Sequence, residues 1–228
     1  MRAASFSSLA ARFRHRPRAG CHTWLWSGPL KLDPDAALPA PTRFSFRGIN
    51  TTHTDGIKAP LRRELTARIP AKLSDVLAFY RTELAKLGWQ EEADGATIAA
   101  ERTELTFTSS EGPATLKLGR AKGETTVSLV QLNTEAAAKA NILPMPGKAR
   151  LIFGYLAPDV ASLAINDQTI KIVGGAGHPQ ALDLPPGKHS YELLVSGHPA
   201  RTDTITVAMG EAWDLRLGSE GDKPFQIY

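Results

Sequence analysis

Between Ser74 and Trp89 the apolar residues Val76, Tyr80, Leu84 and Leu87 recur at spacings of four, four and three, and Leu77 and Phe79 widen the stripe. This is the period of an amphipathic helix. Arg81, Glu83 and Lys86 fall mostly on the opposite face. Ser74 is placed to cap the free N–H groups of the first turn, and Asp75 adds a negative charge at the positive end of the helix dipole. Pro70 keeps the helix from starting earlier, and Gly88 ends it by taking a left-handed conformation that turns Trp89 back toward Leu84. A helix of about four turns takes most of its stability from tertiary packing. The stripe therefore predicts a sheet beside it.

The strands for that sheet follow from alternation. Phe44 and Phe46 flank Ser45 as a short strand, and INTTHTDGIKAP carries the Asn, Thr, Asp, Gly and Pro of a loop. Leu61, Leu65, Ala67 and Ile69 alternate before Pro70, and Thr103 to Thr108, Ala114 to Leu118 and Thr125 to Leu132 alternate between the turns SSEGP and RAKGET. Residues 41–132 are thus expected to form an α+β domain, an N-terminal helix on an antiparallel sheet. NTEAAAKANILPMPG, residues 133–147, reads as a linker with one or two helical turns stopped by Pro144, Pro146 and Gly147. From residue 148 to 228 the pattern is nearly all β. Leu151 with Phe153, Leu163 with Ile165, Ile170 with Ile172, Tyr191 with Leu193 and Val195, Ile205 with Val207, and Trp213 with Leu215 and Leu217 alternate between turn clusters. That is the cadence of a small all-β sandwich.

Composition narrows the class of protein more than its function. Of 228 residues, 42% are hydrophobic and 22% charged, the ordinary globular range. Pro and Gly interrupt every apolar run before it reaches the roughly 18 residues of a spanning helix, so no transmembrane segment is expected. The single cysteine, Cys21, allows no disulfide within the chain and no cysteine cluster for zinc or iron–sulfur. The net charge of +4 is concentrated at the start: residues 1–32 hold six basic residues and no acid, leaving 21 basic against 23 acidic residues in the remainder. Residues 1–40 read as a disordered or processed basic segment. Arg12 to Arg18 break the only candidate apolar core of a secretory signal, an organelle transit peptide fits the Arg, Ser and Ala content, and Arg18 stands where a lipoprotein attachment site carries an aliphatic residue before Cys21.

Two resemblances rest on quoted motifs. Residues 61–132, centred on FYRTELAKLGW, resemble a domain of bacterial envelope and lipoprotein-like proteins of unknown function in which an aromatic-Tyr-Arg helix ends in Gly-Trp before a run of strands. Residues 149–218 resemble PEGA-type β-sandwich domains: ARLIFGYLAPDVASLAINDQTI matches the opening strand pair with its Ile-Asn turn, and LPPGKHSYELLVSG the Pro-Gly-x-His strand start. The Pro-Glu-Gly-Ala signature is missing. The resemblances imply an exported, non-catalytic module of the periplasm or cell envelope, with a cytoplasmic location as the alternative.

No motif for a cofactor survives. Gly175, Ala176 and Gly177 follow a strand, but His178-Pro179 and a further strand stand where the phosphate-binding helix would begin. Gly147-Lys148 and Gly187-Lys188 lack the rest of a P-loop, and the serine-hydrolase, zincin and calcium-loop patterns are missing. Among the six histidines, His178, His189 and His198 each stand beside a Pro or Gly turn of the second domain, and neutral imidazole is a common metal ligand. Loop and strand-edge roles account for all three, and the PEGA resemblance implies a structural role for His189. Trp89 and Trp213 are in phase with apolar neighbours and read as core. Arg81 has no catalytic partner, and Glu91, Glu92 and Asp94 read as a solvated turn.

The expectation is a non-catalytic cell-envelope accessory or binding protein whose sandwich contacts a protein or glycan. Two alternatives stand beside it: a metal-binding regulator or enzyme using His178, His189 and His198, and a nucleic-acid or anionic-surface binder acting through the basic arm. No nucleic-acid partner is expected for the folded part.

Overall fold

A computed structural model describes residues 28–155, 161–172, 179–217 and 223–228. The first sheet contains β1 (Phe46–Thr54), β2 (Ile57–Ile69), β3 (Gln90–Glu91), β4 (Thr97–Ile98), β5 (Arg102–Thr108), β6 (Pro113–Ala121) and β7 (Glu124–Leu132), and α1 (Leu73–Lys86) joins β2 to β3. Its strand order is β1-β2-β7-β6-β5-β3, with β4 also on β5, and all pairings are antiparallel. One face is closed. Leu65, Ala67 and Ile69 of β2, Leu105 and Phe107 of β5, Leu116 and Leu118 of β6 and Val127 and Leu129 of β7 share a core with Val76, Phe79, Tyr80 and Leu84 of α1. The ring of Phe79 meets that of Tyr80 edge-on at 5.2 Å.

The helix ends as its sequence predicts and begins differently. Gly88 has φ of +77°, the Gly88 amide donates to Ala85 and the Trp89 amide to Leu84 at 3.1 Å, and Trp89 is buried. At the other end Lys72 is the cap, and no side chain closes it. The Ser74 hydroxyl instead donates to Asp75. Leu87 falls in the capping turn and is exposed, so the buried stripe stops at Leu84.

The segment read as a loop after Phe46 is strand. Phe46 to Thr52 pair with Arg68 to Arg62, and the Thr54↔Ile57 pair closes a hairpin on Asp55 and Gly56. Its threonines suit a pleated edge, and pairing with a long neighbour overrides the loop-like composition. Leu38 and Ala40, inside the stretch expected to be unstructured, are buried in the same core.

The second body is a β-sandwich. One sheet has the order β10 (Gln168–Ile172), β9 (Ala161–Ile165), β12 (Gly187–Val195), β13 (His198–Val207). The other has β11 (Gln180–Leu184), β8 (Ala149–Tyr155), β14 (Ala212–Leu217), β15 (Phe225–Gln226), with β14 parallel to β8. Leu151, Phe153, Leu163, Ile165, Tyr191, Ile205 and Leu215 form their shared core. A third cluster joins the bodies: Leu61 of β2, Ala136 and Ala137 of α2 (Thr134–Lys139), Ile142, Ala212, Ile227 and Tyr228.

The chain is therefore mostly β, and the α+β class expected for it is corrected. Strands make up 55% and helices 13% of the described structure, with two α-helices against several antiparallel sheets. One apolar stripe drew the assignment, while strand pairing extends through stretches such as residues 46–60 whose side chains do not alternate in hydrophobicity.

Candidate functional site

In an antiparallel ladder, directly opposed residues share a face. The residues between the core positions of β1, β2, β7, β6 and β5 therefore form a second face of the first sheet, and α1 does not cover it. Across it run Arg62 and Glu64 of β2, Ser128, Val130 and Leu132 of β7, Thr115 and Lys117 of β6 and Glu104 of β5. These residues floor a cleft of about 730 Å³. Its rim is formed by the segment Leu143–Gly147 and the turn Met209–Glu211 between β13 and β14, with Gln226 and Tyr228 also lining it.

Both rim segments are pinned from behind. Arg150 donates from Nε and Nη2 to the two carboxylate oxygens of Asp183 at 3.1 Å each, and from Nη1 to the Asn141 carbonyl at 2.9 Å. Such a two-pronged pair fixes orientation as well as charge. Asp183 also accepts from the Met145 amide at 3.4 Å, which holds the first segment. Gly210 (φ +85°) donates to the Lys148 carbonyl at 2.9 Å, tying the second segment to the first. The Glu211 carboxylate accepts from the Ala208 amide at 2.7 Å and from Trp213 Nε1 at 2.9 Å. Tyr228 closes the end through its hydroxyl, 3.1 Å from Thr134 Oγ1, and its carbonyl accepts from Ala212 at 2.9 Å. Thr134 belongs to α2, which is capped by the Asn133 side chain.

The chemistry of the cleft is two-sided. On the floor, Arg62 pairs with Glu64 at 2.7 Å and Lys117 with Glu104 at 2.9 Å. On the rim, Met145 and Met209 are 60% and 68% exposed, beside Leu143, Pro144 and Pro146. Met209 and Met145 are the most exposed of the large apolar side chains among the described residues. Methionine adapts its shape to an apolar partner. Each carboxylate lining the cleft is already engaged by a cation or by N–H donors.

The residues singled out in the sequence lie elsewhere. His189 is buried, its Nδ1 3.1 Å from Asn166 Oδ1 and its Nε2 2.8 Å from the Pro185 carbonyl. It ties the β9–β10 turn to the start of β12. His198 is exposed and pairs with Val195 at the far end of the same hairpin. His189 opposes Ile205, so seven residues of strand, roughly 20 Å, separate the two histidines. His178 lies outside the described residues. Among the described residues no three His, Cys, Asp or Glu side chains group as metal ligands. Arg81 donates to both oxygens of Glu91 at 2.8 and 2.6 Å, which raises its pKa and fixes β3 against α1. Glu92 accepts from the Thr108 hydroxyl. Trp89 lies in the first core near Phe107, and Trp213 packs against the second.

No family model, no curated protein and no solved structure matches the chain. The likeness to PEGA-type and FYRTELAKLGW-containing domains thus rests on those motifs alone. No described helix is long and apolar enough to cross a membrane.

Proposed function

We propose that the protein is a non-catalytic binding protein whose ligand site is the cleft between the uncovered sheet face and the sandwich, and whose ligand is an extended segment of another protein. The observation that carries this reading is the pair Met145 and Met209, exposed on two mutually hydrogen-bonded segments that rim the cleft beside a floor of ion pairs. An extended chain laid along them would bury apolar side chains against the methionines. Its polar backbone and charged residues would meet Arg62–Glu64 and Lys117–Glu104. The volume lies within the range of ligand clefts, about 300–1,000 Å³. The sandwich contributes a wall and the frame behind it, so the partner contact expected of its surface moves to its junction with the first sheet. The compartment proposed with this function is the bacterial cell envelope, on the strength of the sequence motifs, and fractionation of native cells tests it directly.

The functional test compares wild-type protein with the double variant Met145→Asp, Met209→Asp as bait in affinity capture from native cells. Both side chains are exposed, so the substitutions remove no buried contact, and circular dichroism of the variant checks its fold. Partners retained by wild type and lost by the variant support the proposal. An identical set of partners, or none with either bait, overturns it.

A further inference from the structure

Bordering the cleft on the same uncovered face is a cross-strand row of different chemistry: Phe46, Arg68, Thr126, Gly119 and Arg102, each directly opposite the next across β1, β2, β7, β6 and β5. Four strand spacings of about 4.8 Å make it on the order of 20 Å long. Phe46 is 49% exposed, and the Arg68 guanidinium stands over its ring at 5.6 Å. Arg68 forms no ion pair among the described residues. Arg102 is 71% exposed and only 3.5 Å from Glu104, which Lys117 holds more closely. The next acid, Glu124, accepts from the Ser45 hydroxyl. The row therefore presents two underused guanidinium groups about 14 Å apart, three strand spacings.

Between and beside them the floor is hydroxyl and glycine. Thr66 and Ser128 stand in the neighbouring row with Gly48. A side chain at Gly48 would begin 3.0 Å from Thr66 Oγ1, and one at Gly119 would begin 3.0 Å from Thr126 Oγ1. The two glycines keep these hydroxyls uncovered. Hydroxyls both donate and accept, the pairing that a polyhydroxylated ligand requires. The flat guanidinium fork matches a carboxylate.

We propose that this row binds an acidic polysaccharide, a polymer of uronic-acid type whose carboxylates meet Arg68 and Arg102, whose hydroxyls meet Thr66 and Thr126, and whose sugar rings lie along Phe46. Single-stranded nucleic acid fits less well, because it needs successive aromatic platforms for successive bases. The row has one ring and a floor of threonine and glycine. Each exposed charge contributes little, and binding accumulates from repeated contacts along the polymer.

The test is affinity electrophoresis of the full chain through gels containing polygalacturonate, dextran or single-stranded DNA, with Phe46→Ala, Arg68→Gln and, as a control on the sandwich, Lys188→Gln. All three side chains are exposed, so loss of fold does not confuse the result. The expected outcome is retardation by polygalacturonate and not by dextran, weakened about two- to fivefold by Arg68→Gln and by Phe46→Ala and unchanged by Lys188→Gln. Met145→Asp, Met209→Asp leaves it unchanged, which separates this site from the cleft. No retardation overturns the proposal. Retardation indifferent to Arg68 and Phe46 also overturns it, assigning the charge effect to the N-terminal arginines, and tighter retention by DNA through the same residues reassigns the row to nucleic acid.

Discussion

Substituting Gly112 by alanine tests whether the junction behind the cleft is braced as tightly as its geometry requires. Gly112 closes the β5–β6 turn, with its amide donating to Ser109 and its carbonyl accepting from the Ser109 amide and hydroxyl. Its φ is +146°, and an added Cβ would stand 2.6 Å from Thr134 Oγ1 and 2.8 Å from the Leu132 carbonyl oxygen. The second atom is backbone and cannot swing aside. Strain in that backbone region costs about 1–3 kcal/mol, and overpacking adds about 1–3 kcal/mol, so a total of about 2–6 kcal/mol is expected. Gly88→Ala is the internal control: its φ is +77° with nothing within 4 Å of the new atom, so the conformational term stands alone. That term is about 1–2 kcal/mol. Urea unfolding followed by far-ultraviolet circular dichroism measures both. If Gly112→Ala costs no more than Gly88→Ala, the Thr134–Leu132 junction yields easily and the cleft end is not the rigid frame described.

Two further outcomes follow from the same geometry. Leu163→Ala empties a fully buried position of the sandwich core and should cost about 2–5 kcal/mol. Because the cores are separate, hydrogen exchange in β2 and β7 should change far less than in β9 and β12. Asp214 has its pKa raised by burial, against the lowering effect of Arg216, so its charge opposes folding. That penalty is full above the folded pKa and fades as pH falls toward the ordinary carboxylate value. Asp214→Asn should therefore be most favourable, relative to wild type, at neutral pH and lose that advantage in acid. A difference that grows as pH falls from neutrality would contradict the assignment.

Much of this architecture was legible in the residues, and the gaps have physical causes. The stripe Val76–Leu84 and the Gly88-Trp89 ending were readable because local periodicity and a left-handed glycine are local properties. The helix start was misread, since Ser74 suits a cap but the chain enters the helix two residues earlier. The strand Phe46–Thr54 was hidden because its partner, β2, is what makes it a strand. The overall class followed that error. The alternation behind the sandwich core was plain, while the separation of His189 from His198 depends on hairpin register. The cleft had only a faint signal. Pro144, Met145, Pro146 and Gly147 read as a linker, and nothing local says that the turn at Met209 and Gly210 is hydrogen-bonded beside them.

The central claim, that the cleft rimmed by Met145 and Met209 receives a protein segment, is tested most directly by placing a photo-crosslinking amino acid at position 209 and, separately, at the exposed sandwich position 188 in native cells. The account predicts a defined crosslinked partner from position 209 that the variant Met145→Asp diminishes, and none of that species from position 188. Equal crosslinking from both positions, or a crosslink at 209 indifferent to Met145, would contradict it.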